Sequence, residues 1–294
     1  MKKIVLTCLL VFGSLSVCQS QEWMTSLDVA KSLASVQDKL LFVIWEDASL
    51  QEYPVLIKNE TGDAIAVDLF SNEIIYEAIW DHFVPVIISE YKYEELFNEI
   101  KGIRSQTYID KFNEDTIKIM DVNGNIINTK IAYYEHLDIA EFIAKYALNT
   151  SFLKAELANY RTQQDFNTSY RLASKYIDFA ILVGDDIRPE IVNLSDYYLK
   201  EAEGFIANDT SEVLQQKIKL QNLKQQLVLG KTKKVLRQLK RIDLSKVDAS
   251  NEALVAFLYF TSYAALKDET NASVWRSKVS LVNLKKANLI INNN

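Results

Sequence analysis

Dithiol chemistry needs a thiolate nucleophile and a resolving partner, and this chain of 294 residues has two cysteines, Cys8 and Cys18, both near its start. Its two histidines, His82 and His136, stand alone in the sequence. A metal site needs several ligands and groups that orient them, so neither histidine is read as a ligand and no metal or other cofactor is expected. Adjacent carboxylates such as Glu46 with Asp47 and Glu94 with Glu95 have the residue types of acid–base catalysis, but neighbours of this kind are ordinarily solvated. The sequence has no glycine-rich phosphate loop and no serine elbow. Triplets such as Asn59-Glu60-Thr61 and Asn208-Asp209-Thr210 are read as chance matches in a chain rich in Asn, Ser and Thr.

Lys2 and Lys3 precede an apolar stretch from Ile4 to Val17, interrupted by Gly13, Ser14 and Ser16, and a polar zone follows before Glu22. That order predicts a signal peptide over residues 1–21 and an exported, periplasmic or envelope-associated protein. Cleavage there leaves no thiol. Leu15-Ser16-Val17-Cys18 is also similar to a bacterial lipobox, in which Cys18 would carry a lipid anchor, although Val17 is bulkier than the small residue such sites favour. An uncleaved anchor is the third alternative, for which the stretch is short and interrupted.

Removing Lys2 and Lys3 leaves 31 basic against 39 acidic residues, a balance that disfavours broad nucleic-acid binding. With 49% hydrophobic residues the chain can bury a sizeable core, and its length suits two domains. Hydrophobic periodicity changes near residue 148. Before it, Leu40 to Trp45, Phe83 to Ser89, Thr116 to Met120 and Ile126 to Thr129 read as strands between helical patterns. Residues 51–68 read as a loop around Gly62, and Asp121-Val122-Asn123-Gly124-Asn125 reads as a hairpin turn. Leu137, Ala140, Ile143 and Ala147 follow helical spacing, which closes a first domain over residues 22–148.

The order helix, strand, helix, strand, helix, hairpin, terminal helix resembles the exported thioredoxin-like proteins of Gram-negative bacteria. Two stretches carry the resemblance, residues 71–86 as a helix running into the second long strand and Asp115 to Gly124 as the "PTxxxxDxxG" hairpin. It implies an α/β thioredoxin-like fold and also shows what has been lost. If Trp45 matches the first tryptophan of "WAxWCxxC", the redox cysteines fall at Ser49 and Glu52, or with a loop one residue longer at Leu50 and Tyr53. The family's buried acid falls at Val43, and Asp115 replaces its cis-proline. Losing every part together points to a degenerate, non-catalytic domain.

Residues 149–294 read entirely as helix, with patterns over 151–160, 166–183, 189–207, 211–229, 231–242, 251–266 and 273–290. Tyr170, Ala173, Ile177 and Ala180 share one face, as in tetratricopeptide-like helices, though without the strict repeat, so an all-α domain of helical hairpins is expected. Ala253 to Leu266 is nearly all apolar and reads as its buried centre. From Val213 to Ile242 no residue is acidic, while Lys217, Lys219, Lys224, Lys231, Lys233, Lys234, Arg237, Lys240 and Arg241 are basic. This run reads as a positive face, either solvated or a surface for an anionic partner formed by Lys231, Lys233, Lys234, Arg237, Lys240 and Arg241.

The function expected from the sequence is an exported, non-redox binding or assembly module, not an enzyme, whose partner is a protein or envelope component. The mature chain is expected to have no transmembrane span. The alternatives are a cysteine-independent enzyme on the same fold and a lipid-anchored envelope scaffold. The mature chain is expected to show no insulin-disulfide reductase activity, because no position in either alignment supplies a thiolate. Activity above a buffer blank that survives removal of contaminating oxidoreductases contradicts this.

Overall fold

The computed structural model describes residues 22–59, 61–130, 137–207 and 211–292. The expected signal peptide, Cys18, His136 and Asn208-Asp209-Thr210 lie outside the described residues.

Ser26 starts the first helix, α1 (Leu27–Gln37), by accepting the Val29 N–H on its hydroxyl, and the helix stops at Asp38, whose φ of 55° is left-handed. The unbroken apolar run that follows is β1 (Leu40–Trp45), with all six residues buried, as a strand covered on both faces requires. After it come α2 (Glu46–Ser49), β2 (Pro54–Lys58), β3 (Ala64–Asp68), α3 (Glu73–His82) and β4 (Phe83–Ile88). The unit is completed by α4 (Tyr93–Ile100), α5 (Gln106–Asn113), β5 (Lys118–Met120), β6 (Leu137–Asp138) and α6 (Ile139–Tyr146).

Two small mixed sheets result. In one, β1 pairs parallel with β4 and antiparallel with β5, which sets Val43 beside Val86 on one side and opposite Lys118 on the other. In the other, β2 pairs antiparallel with β3 and parallel with β6. Residues 51–68 are therefore not the loop their composition suggests: they hold the β2–β3 hairpin, with Gly62 at φ 87° in its turn. Every residue of β3 is exposed or half-buried, so no buried stripe marks it in the sequence. Ile126 to Thr129 departs in the other direction, making one bridge between Ile126 and Met120 rather than a strand. The Asn128 amide takes the next ladder position, accepting the Ile119 N–H at 2.8 Å and donating to the Ile117 carbonyl at 2.9 Å.

The second half is all helical: α7 (Lys154–Thr162), α8 (Phe166–Ala180), α9 (Arg188–Phe205), α10 (Glu212–Val228), α11 (Thr232–Leu239), α12 (Ala249–Ala265), α13 (Glu269–Arg276) and α14 (Leu281–Asn292). Asp165 caps α8 through a reciprocal pair with Thr168, and Pro189 opens α9 where its missing N–H costs nothing. The pattern over 273–290 is two helices rather than one, broken between Arg276 and Leu281. Helix α12 is the centre of this half, packed against α10, α11, α13 and α14. Buried apolar residues run without interruption from Trp23 to Ile290, so the α/β unit and the helices share one core. Among the described residues no helix is long and apolar enough to cross a membrane.

The β2–β3 turn has few buried apolar contacts, and the helices around α12 have many. Limited digestion with a protease of broad specificity is expected to cut first between Lys58 and Asp63. A first cut inside residues 253–266 contradicts the placement of α12 at the centre.

Candidate functional site

Asp121 follows β5 and is wholly buried, where an unpaired carboxylate would be costly. It is satisfied on every side. One oxygen accepts the backbone N–H groups of Asn123 at 3.0 Å and Asn125 at 2.9 Å, which bends the chain into its turn. The other accepts the Tyr176 hydroxyl at 3.1 Å and the Tyr198 hydroxyl in a still shorter bond. Burial raises the Asp121 carboxyl above its usual range, with these donors opposing the rise. Tyr176 comes from α8 and Tyr198 from α9, their rings stacked 5.5 Å apart, so the carboxylate joins the α/β unit to the helices. The Asn123 and Asn125 amides donate to the same Tyr198 hydroxyl at 2.9 and 3.0 Å.

The turn ordered by this junction forms part of a cleft of about 680 Å³ between the two halves. Its inner wall holds Arg104, Tyr108, Asn125, Tyr160 and Glu201. Arg104 donates to the Asn125 side-chain oxygen at 2.5 Å, lies 3.7 Å from Glu201, and has its guanidinium over the Tyr197 ring at 4.6 Å. Tyr160 donates to the second Glu201 oxygen at 2.7 Å. Burial raises the Glu201 carboxyl, while Tyr160 and Arg104 pull it down. The outer lining mixes Asp28, Lys31, Glu99 and Arg161. Gly124 is required by its φ of 90°, and the end of the Lys31 side chain crosses close above it.

At the positions where the resemblance puts a redox pair, Ser49 and Tyr53 are engaged by the backbone, while Glu52, like Leu50, is exposed. The Ser49 hydroxyl donates to the Glu46 carbonyl at 2.7 Å, and the Tyr53 hydroxyl accepts the Ile117 N–H at 3.3 Å. Beneath them lies Lys118, with no exposed surface and facing Val43 across the sheet. Its ammonium donates to the Glu114 and Thr116 carbonyls and lies 5.7 Å from the centre of the Trp45 ring. Burial, helped by the neighbouring Lys111 charge, pushes Lys118 down to about 7. A group so enclosed holds the residue 114–118 turn rather than meeting a substrate.

The acid-free run splits. Lys231, Lys233, Lys234, Arg237, Lys240 and Arg241 are all exposed, on α11 and its two ends, while Thr232, Val235, Leu236 and Leu239 face inward. None of the six forms an ion pair among the described residues. Lys224 does not belong to that face. It is turned inward, with its ammonium 2.8 Å from Asp178, which Lys286 also approaches to 2.6 Å. Burial would raise the Asp178 carboxyl, but the two lysines hold it below its usual value.

Sequence reasoning located the basic face and missed the cleft. Residues 121–125 were legible as a turn, but nothing local reveals that Tyr198 binds it 77 residues later. Among the described residues no three metal-ligating side chains come together. No family model matches this sequence, and no curated protein or solved structure matches it.

Tyr198→Phe leaves a buried carboxylate short of a donor and two amides short of an acceptor, with an expected cost of about 2–3 kcal/mol in urea unfolding at pH 7. Lys118 contributes to the pH dependence of stability on the alkaline side of 7. Its pKa is lowered in the folded state, so its contribution to stability is fully present above the unfolded lysine value and lost as the pH falls toward 7. Lys118→Met is therefore expected to lower the slope of stability against pH between 8 and 10 by about 1.4 kcal/mol per pH unit. An unchanged slope contradicts a neutral, buried Lys118.

Proposed function

We propose that this protein is an exported, non-redox binding or assembly module, a degenerate thioredoxin-like domain fused to a helical scaffold, which recognises an acidic partner in the cell envelope through α11. The observation that carries the reading is the set of six exposed cations on α11 and its ends, unpaired among the described residues. Some exposed lysines elsewhere pair with carboxylates, as Lys58, Lys92 and Lys154 do, and others such as Lys101, Lys219 and Lys285 form no ion pair among the described residues, so what distinguishes α11 is the clustering of six cations between residues 231 and 241. A one-sided cluster of positive charge on a chain of net charge −6 steers an anionic partner and fixes its register. The remainder of the domain reading is supported by the β1–β4 parallel pair flanked by antiparallel β5, although the β2–β3 hairpin is added to the expected element order and residues 126–129 form no strand.

The test is site-specific photocrosslinking in the envelope from position 234 or 237, with position 252 on α12 as control. One acidic protein is expected from α11 alone, lost when Lys233, Lys234, Arg237 and Lys240 are changed to Gln and weakened steeply between 50 and 500 mM salt. Melting temperature is expected to be nearly unchanged, because solvated charges contribute little to folding. Equal crosslinking by the quadruple variant contradicts the proposal.

A further inference from the structure

The cleft between the two halves offers a second, separate recognition site, and its base is Arg104. The guanidinium side chain is 9% exposed, and its Nε is buried with no hydrogen-bond partner. A buried N–H of a cation left without an acceptor costs more than an ordinary hydrogen bond returns, so native structures rarely keep one without a reason. Here the group is held on two sides and keeps further N–H donors that none of the described residues satisfies. Asn125 takes one N–H, Tyr197 supports the flat face, and Asn125 is itself fixed by the Tyr198 hydroxyl. The fork is thus immobilised before any ligand arrives, the condition under which planar recognition of a carboxylate loses least entropy.

The surrounding charge narrows the class of ligand. Three basic side chains, Lys31, Arg104 and Arg161, and three acidic ones, Asp28, Glu99 and Glu201, line the same cleft. A simple anion would gain Arg104 but face Glu201, and a simple cation the reverse. A ligand bearing both signs satisfies each set. The volume of about 680 Å³ lies within the usual range for small-molecule sites and accommodates a few residues of peptide.

We propose that this cleft binds a small zwitterion, an amino acid or a short peptide with free termini, whose carboxylate seats on Arg104 and whose ammonium group meets the acidic side chains of the lining. The site is independent of the basic face of α11.

The experiment is equilibrium dialysis of the full chain without its leader against an equimolar library of di- and tripeptides with free termini, read by mass spectrometry. The same library with amidated C-termini is the matched control. Free-acid peptides are expected to be enriched at least tenfold over their amides, and Arg104→Gln is expected to abolish the enrichment. Because Arg104 also holds Asn125, exposed Arg161→Gln is measured in parallel and is expected to lower enrichment severalfold with its melting temperature unchanged. The quadruple α11 variant is expected to retain peptides fully, which separates failure of this site from failure of the docking face. Equal retention of the amides, retention unaffected by Arg104→Gln, or no enrichment of any free-acid peptide overturns the proposal.

Discussion

The buried carboxylate of Asp121 is the constraint on which the remaining structure depends. Two backbone N–H groups close the turn onto it from one half, and two tyrosine hydroxyls reach it from the other. Withdrawing either set would leave one oxygen of a buried carboxylate without donors, so the turn and the α8–α9 pair stabilise one another. Every distinctive feature of the cleft follows. Asn125 is oriented by this junction and orients Arg104, and the short turn at Gly124 leaves room for Lys31 to cross it.

Other buried charges tie the halves in the same manner. Glu190, at the start of α9, has no exposed side chain and receives the Lys145 ammonium at 2.8 Å and the Tyr146 hydroxyl at 2.7 Å, both from α6. Asp38 accepts the Thr150 N–H on its carbonyl and pairs with Lys154 at 3.0 Å, so the junction near residue 148 is tethered at both sides. Within the helices, Asp178 gathers Lys224 and Lys286. Such pairs contribute little net stability against an apolar alternative, but removing one partner is costly, and this makes them fix an arrangement more than they strengthen it. Against that background α11 is set apart by the number of unpaired cations gathered on one short helix and its ends.

Local patterns carried much of the fold. The unbroken apolar run of β1, the capping residues Ser26, Asn72 and Asp165, and the apolar length of α12 are all readable because each acts over a few residues. The hairpin of β2 and β3 was hidden by its exposure, and the break at residues 277–280 by apolar residues that continue the periodicity on both sides. For the candidate sites the division is similar. The α11 face is written in one stretch of chain, whereas the cleft is assembled from α1, α4, α5, α7, α9 and the segments between elements, and no single stretch announces it. Lys224 shows the opposite hazard: by type and spacing it belongs to the basic run, and only its distant partner Asp178 turns it inward.

The shared core and the Asp121 junction join the two halves into one cooperative body, which native-state hydrogen exchange tests most directly. The amides of Asn123 and Asn125, which bind that carboxylate, are predicted to exchange with the same opening free energy and the same denaturant dependence as the core amides of α8 and α9. Turn amides that exchange through a low-energy opening while α8 and α9 stay protected would contradict it.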